Sequence, residues 1–361
     1  MKYHIDGNGK HAYLQLYECL RKDMESAIFS YGTKLPSKRT LAEETGVSVI
    51  TVQHAYAILC EEGYIESRQR SGYYVIYREN DFVSVAEGQV ITSVVGKESV
   101  NMHKKSEFPF SVLAKTMRKV LLDYNKEILI KSPNHGCAEL RAAISAYLVR
   151  SNGIMVRPEQ IVIGSGAEYL YSLIVQLLGE ERVFALEDPS YEKIRQVYEA
   201  NGVNCELLKL GRDGIRSSEL ENSKATVLHV TPFHSYPSGV TASVSKRFEY
   251  LNWAKLRKGY IIEDNYDSEL TVSMKNEDTV FSMEKDAPVI YLNTFSETIA
   301  PAMRVGYMVL PERLLDVFEE RIGFYSCTVP VFEQYVLAEL INNGDFERHI
   351  NRVRRERRKK K

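Results

Sequence analysis

No apolar run in the chain approaches the roughly 18 residues of a membrane-crossing helix, which excludes a helical membrane protein. There is no Cys-x-x-Cys pair. The five cysteines, Cys19, Cys60, Cys137, Cys205 and Cys327, are odd in number and widely spaced, which excludes a disulfide framework and a zinc site and leaves them as reduced packing residues. Net charge is also nearly missing. At −1 it excludes a generally polyanion-binding surface, so any nucleic-acid contact must come from a local patch. Low-complexity tracts and repeats are absent, and Met1-Lys2-Tyr3-His4 opens no secretory leader. The expected location is the cytoplasm, with no membrane partner and no metal.

What is present is an ordinary globular composition, 44% hydrophobic and 26% charged over 361 residues, long enough for one large core and a small domain. Near the N-terminus, Leu14, Tyr17, Leu20, Met24 and Ile28 recur at three- and four-residue steps and predict an amphipathic helix ending before Tyr31-Gly32. Ser37 caps a second helix running to Thr45, Gly46 supplies a turn, and Ser48 caps a third whose inward stripe is Val52, Ala55, Tyr56 and Leu59. That leaves Ser48, Val49, Thr51, Gln53 and His54 facing outward. After Gly63 the period changes to two, over 64–67 and 73–76, around the basic tip Arg68-Gln69-Arg70-Ser71-Gly72. Helix, helix-turn-helix and basic hairpin describe a winged helix, which lays its last helix in the major groove of double-stranded DNA and its wing along phosphates.

The run TKLPSKRTLAEETGVSVITVQHAYAILCEEGYIESRQRSGYYV closely resembles a GntR-type domain. The resemblance implies DNA-facing roles for Ser37, Arg39, Ser48, Thr51, His54, Arg68, Arg70 and Gly72, while Gln53 and His54 are in position for base edges. Where that family often has an arginine after the turn serine, this chain has Val49, so at least one polar contact is lost or replaced by an apolar contact to a thymine methyl. Residues 1–80 hold ten basic and ten acidic side chains, so a winged helix used for protein contact is the competing reading. The placement of Arg39, Arg68 and Arg70 favours DNA.

Between 79 and 102 the pattern loosens around Gly88 and Gly96, and a linker is placed there, between a domain at 1–78 and another at 103–361. Beyond it helical patterns (111–124, 138–151, 167–178, 191–201, 245–258) alternate with strand patterns (161–163, 183–186, 205–210, 226–230, 260–263, 289–292, 305–310). This is an α/β fold with a mainly parallel sheet and sites at the carboxyl ends of its strands. At those ends lie Gly164-Ser165-Gly166-Ala167, a strand-to-helix turn suited to phosphate; Asp264 and Tyr266; His234 with Pro237 and Gly239; and the segment TFSETIAPAMR, whose Thr294, Ser296 and Arg304 make a phosphate cradle. An acid between two such cradles suggests a phosphorylated aromatic cofactor whose ring nitrogen meets a carboxylate.

Seven segments in order, from FPFSVLAKTMRKVL and SPNHGCAELRAAISAYL to IIEDNYDSEL and TFSETIAPAMRVGYMVLP, resemble the aminotransferase-like domain of MocR-type regulators. Those proteins join a GntR winged helix to a fold type I pyridoxal-phosphate domain. The resemblance implies a dimer and a pocket for pyridoxal 5′-phosphate. In it Gly166, Ala167 and Glu168 offer backbone N–H groups to the phosphate with Thr294, Ser296 and Arg304; Asp264 pairs with the pyridine nitrogen, Tyr266 meets the ring hydroxyl, and Tyr191 lies at the mouth.

Three positions depart from the family. Its Schiff-base lysine falls at Glu297, and a carboxylate forms no imine. Relatives carry a further small domain with an arginine for the ligand carboxylate, whereas these residues finish in RVRRERRKKK, read as a solvated helix face in preference to a polyanion contact. Ile130-Lys131 stands near where many relatives place a tyrosine that reaches the neighbour's cofactor. The expectation is a transcriptional regulator with a degenerate aminotransferase-like domain, holding cofactor noncovalently at most and sensing a small amine or amino acid. The alternatives are an aminotransferase with residual activity and a decaying copy without regulated function.

Overall fold

The computed structural model describes residues 3, 5, 11–68, 71–77, 108–266, 268–270 and 278–360, and the chain divides into two units, Met1–Glu98 and Ser99–Lys361. The linker expected over 79–102, like Gln69 and Arg70 of the wing tip, lies outside the described residues.

In the first unit three helices, α1 (Ala12–Glu25), α2 (Lys38–Thr45) and α3 (Val49–Glu61), precede a hairpin of β1 (Ile65–Arg68) and β2 (Gly72–Val75), paired from Ile65↔Val75 to Arg68↔Gly72. Leu16, Leu20, Val52, Ala55, Tyr56 and Leu59 are fully buried between the helices. Gly46 takes the left-handed conformation, φ 72°, that ends α2 and turns the chain into α3. Ile28, expected on the inward stripe, is instead 56% exposed, because α1 stops at Glu25 and the chain breaks away at Ala27 with φ 58°.

The second unit is built on a seven-stranded sheet. Its strands are β3 (Ile161–Gly164), β4 (Val183–Asp188), β5 (Asn204–Lys209), β6 (Val227–Val230), β7 (Tyr260–Asp264), β8 (Val289–Thr294) and β9 (Gly306–Val309), in the order β3-β9-β8-β7-β6-β4-β5. All neighbours pair parallel except those of β9, which runs antiparallel between β3 and β8. The fully buried strands read as continuous apolar runs because helices cover both faces. On one face lie α6 (Ala167–Leu178), α7 (Glu192–Ala200) and α10 (Leu315–Arg321); elsewhere pack α4 (Phe110–Tyr124), α5 (Ala138–Asn152), α8 (Ser217–Asn222), α9 (Val244–Leu256), α11 (Val331–Asn342) and α12 (Asp345–Lys360).

The reversal of β9 has a positional result. Its first residue, Gly306, pairs with Thr294, the last of β8, so the segment holding Arg304 arrives at the carboxyl ends of the parallel strands. Helix α12 corrects the reading of RVRRERRKKK as a simple solvated face. Phe346, Ile350 and Val353 are buried, Arg354 donates to the Glu269 carbonyl and Arg357 to that of Leu270 at 3.3 Å, while Arg355 and Arg358 stay exposed.

Gln334 on α11 ties distant segments together. Fully buried, it accepts from the Cys137 N–H at 2.6 Å and donates to Ser132 Oγ and the Val329 carbonyl, both at 2.8 Å. Gln334→Leu leaves a buried N–H and a buried C=O without partners. It is expected to lower unfolding free energy by about 2–4 kcal/mol, read from the urea midpoint.

Candidate functional site

On the first unit, α2 and α3 begin with the same device. Ser37 Oγ accepts from the Thr40 N–H at 3.1 Å and shares a 2.7 Å bond with Thr40 Oγ1; Ser48 Oγ does the same with Thr51, at 3.1 and 2.8 Å. Each serine caps its helix and leaves the positive helix end exposed. Arg39, Gln53 and His54 are exposed, Lys38 Nζ reaches Gln53 Oε1 at 3.4 Å, and Val49 and Ile50 stand 42% and 67% exposed on the first turn of α3. In the wing, Arg68 is held by Glu66 at 2.6 Å and lies 4.3 Å over the Tyr74 ring. Gly72 has φ 117°, and a Cβ there would come within 3.2 Å of Lys34 Cε, so this glycine serves the turn and the packing of Lys34.

On the second unit, a cavity of about 570 Å³ opens at the carboxyl ends of β3, β4, β6, β7 and β8. Ala167, Glu168, Tyr191, Asp264, Tyr266, Thr294, Ser296, Glu297 and Arg304 all line it; Gly166 stands directly behind, as the N-cap of α6. A Cβ on Gly166, at φ 86°, would lie 3.1 Å from Arg304 Nη2, so its absence lets the guanidinium rest across the end of α6. Arg304 is not an open cation: Glu168 Oε2 is 3.6 Å away, and Lys193 Nζ approaches Glu168 Oε1 at 3.3 Å. Ser296 Oγ donates to the Met303 carbonyl at 3.2 Å, folding the segment back on itself. Among the described residues the lining contains no lysine.

The floor is a buried polar network. Asp264, 2% exposed, accepts from the Tyr171 hydroxyl and from the Tyr266 N–H at 3.2 Å, and His229 Nε2 lies 3.6 Å from its Oδ2. His229 Nδ1 shares a 2.7 Å bond with the Tyr198 hydroxyl. Burial beside Asp264 pushes the Tyr171 hydroxyl well above the usual tyrosine range. Glu187, at the end of β4, accepts from Ser235 Oγ at 2.5 Å and from the Thr231 N–H at 3.2 Å, which pins the loop carrying His234 and Tyr236. Burial pushes Glu187 up to about 7 against those two bonds, and burial also raises Glu263 to about 7. At the mouth Tyr191 meets Tyr236 edge to face, centroids 6.1 Å apart.

Sequence reasoning missed Tyr171, Glu187, His229 and Ser235. Tyr171 stands one helical turn after Ala167, and so on the same face of α6; Glu187 and His229 are polar residues inside otherwise apolar strands, a usable signal. The sequence contains no sign of which loop Ser235 would cap.

Residues 12–75 match the bacterial regulatory proteins of the gntR family, and residues 99–361 match aminotransferase class I and II. Over 361 residues the chain is 34% identical to the HTH-type transcriptional regulator YdeL of Bacillus subtilis, covering 97% of this chain and 77% of that one. It is 28% identical to the probable rhizopine catabolism regulatory protein MocR of Rhizobium meliloti (94% and 74% covered) and 27% identical to the pyridoxine biosynthesis regulator PdxR of Corynebacterium glutamicum (94% and 75%). Among solved structures it resembles an archaeal alanine:glyoxylate aminotransferase (TM-score 0.62, 25% identity) and the kynurenine aminotransferase of Pyrococcus horikoshii (0.63, 25%). The matches cover 67% and 69% of this chain and under two thirds, 62% and 64%, of those chains.

The buried acids set a pH dependence. Unfolded, Glu187 titrates at its ordinary 4.5; folded, at about 7. Between those values the folded state keeps a proton that the unfolded state has lost, so this contribution to stability is full below 4.5 and is lost as pH rises through about 7. Glu187→Gln is expected to reduce the fall in denaturation midpoint across that window, leaving the part due to Glu263.

Proposed function

Because the chain belongs to the MocR-type regulators, which join a gntR-family helix-turn-helix to an aminotransferase class I and II domain, we propose that it regulates transcription in the cytoplasm by binding double-stranded DNA through its first unit. The second unit acts as a scaffold for dimerisation and for sensing a small amine or amino acid. The observation that carries this reading is a pair of exposed, serine-capped helix ends beside Arg39, together with an aminotransferase-type cavity whose lining holds Glu297 and no lysine.

In the DNA-binding role, Ser37, Arg39, Ser48 and Thr51 meet phosphates, with Arg68 and Arg70 following along the wing once Arg68 leaves Glu66. Gln53 and His54 face base edges, and Val49 and Ile50 offer an apolar surface to thymine methyls. The domain boundaries at 78 and 103 are part of the same proposal.

The cavity's donor set fits noncovalent pyridoxal 5′-phosphate. Arg304, Ser296, Thr294 and the N–H groups at 166–168 would take the phosphate, the missing Cβ of Gly166 leaving room for the guanidinium beside them. Asp264, held by Tyr171, would face the ring nitrogen, with Tyr266 near the ring hydroxyl and Tyr191 over the mouth. When bound, the cofactor supplies an electron sink for amine chemistry. Glu297 does not provide the nucleophilic amine that the usual covalent route needs, which places the aminotransferase reading second.

For a homodimer, the support is apolar surface. Leu122, Leu129 and Ile130, on α4 and the turn after it, are 81%, 80% and 58% exposed, a cost that a second copy removes.

Arg39→Ala is expected to weaken binding of the chain's own promoter DNA regardless of sequence and to lower the slope of log affinity against log salt by about 1; an unaltered slope rules out the phosphate role. If the unaltered protein gives no salt-dependent shift of that DNA against a scrambled control, the regulator reading fails. Leu122→Glu is expected to turn a dimer into a monomer in light scattering.

A further inference from the structure

Glu297 is the unmatched group of the cavity. Glu168 has Lys193 and Arg304 for partners, Asp264 has Tyr171 and the Tyr266 N–H, and Arg304 is the one Lys or Arg among the lining residues. Among the described residues the exposed Glu297 carboxylate has neither an ion pair nor a hydrogen bond. It follows Ser296 directly, next to the hydroxyls and guanidinium that would take a phosphate. A second negative charge there opposes phosphate binding unless the ligand brings a cation with it.

We infer that the pocket selects the amine form of the cofactor, pyridoxamine 5′-phosphate, over the aldehyde form. This rests on reading the cavity as a site for a pyridoxal-type phosphate. On such a ring, the carbon beside the one bearing the phosphate arm carries the group that distinguishes the two forms. In one it is an aldehyde, whose oxygen only accepts hydrogen bonds and which needs an amine to be anchored. In the other it is an aminomethyl ammonium, which donates three N–H bonds and carries the positive charge that Glu297 lacks. With the phosphate at Ser296 and Arg304 and the ring nitrogen at Asp264, Glu297 meets that group. A charge-assisted hydrogen bond replaces a repulsion between two acceptors. The pocket then reports the amine-to-aldehyde balance of the cofactor pool without performing chemistry on it.

The test is equilibrium dialysis of the full chain against pyridoxamine 5′-phosphate and pyridoxal 5′-phosphate separately, with promoter DNA binding measured on the same preparation. The amine form is expected to bind at least about ten-fold more tightly, the scale of one charge-assisted hydrogen bond. Glu297→Gln, which keeps the shape, is expected to lose that preference, and Glu297→Asp to retain part of it. Equal binding of the two forms, tighter binding of the aldehyde, or a preference unchanged in Glu297→Gln overturns the inference while leaving the pocket reading intact. If neither form binds at millimolar concentration, the inference and the cofactor-pocket reading both fall, and DNA binding on that preparation shows whether the regulator reading survives separately.

Discussion

The second unit depends on satisfying carboxylates that the sheet draws out of water. Glu187, Glu263, Asp264 and Glu269 are each less than 8% exposed, at or just beyond the carboxyl ends of β4 and β7. An uncompensated buried charge is costly, so each must collect donors. The donors come from several elements: Thr231 and Ser235 for Glu187, the N–H groups of Val280 and Phe281 at 2.9 and 2.8 Å for Glu263, the Tyr266 N–H and the Tyr171 hydroxyl of α6 for Asp264, and the amide of Asn293 in β8 at 2.6 Å for Glu269. Glu187 and Asp264 thereby hold parts of the cavity wall in place, through Thr231, Ser235, Tyr171 and Tyr266. Residues of the type that sequence reasoning assigns to chemistry are here architecture, and Asp264 also lines the cavity.

Much of this was legible in advance, for identifiable reasons. The buried strands announce themselves as apolar runs such as Val289-Ile290-Tyr291-Leu292, and the caps at Ser37 and Ser48 are local, requiring only the next three residues. That the residues at strand ends would line one cavity was recoverable because a parallel sheet brings all those ends together. What stayed hidden was set by tertiary contact. The docking of Arg354 and Arg357 onto carbonyls and the packing of the helices after Pro311 depend on partners far away in sequence. Arg68 illustrates the limit most simply: a basic wing tip is visible in the sequence, but its attachment to Glu66 two residues back is not.

Two small choices set the electrostatics at the start of α6. Gly166 lets Arg304 lie across the end of α6, so the helix dipole and the guanidinium act at one place. Glu168, on the first turn of the same helix, then covers the arginine and is in turn covered by Lys193. An incoming anion must displace a carboxylate, and a surface pair of this kind is weak enough to be displaced. The guanidinium is thus covered without being locked away.

The doubled caps of α2 and α3 leave unused hydrogen-bonding capacity at both helix starts. Each Ser-x-x-Thr pair has two hydroxyl protons, and the Ser–Thr bond uses only one. The serine oxygen meanwhile accepts from its own helix. One hydroxyl proton of each pair is therefore not used within the pair. Hydrogen bonds that share a hydroxyl strengthen one another, so an acceptor that takes the serine's proton would also firm the cap that its oxygen holds.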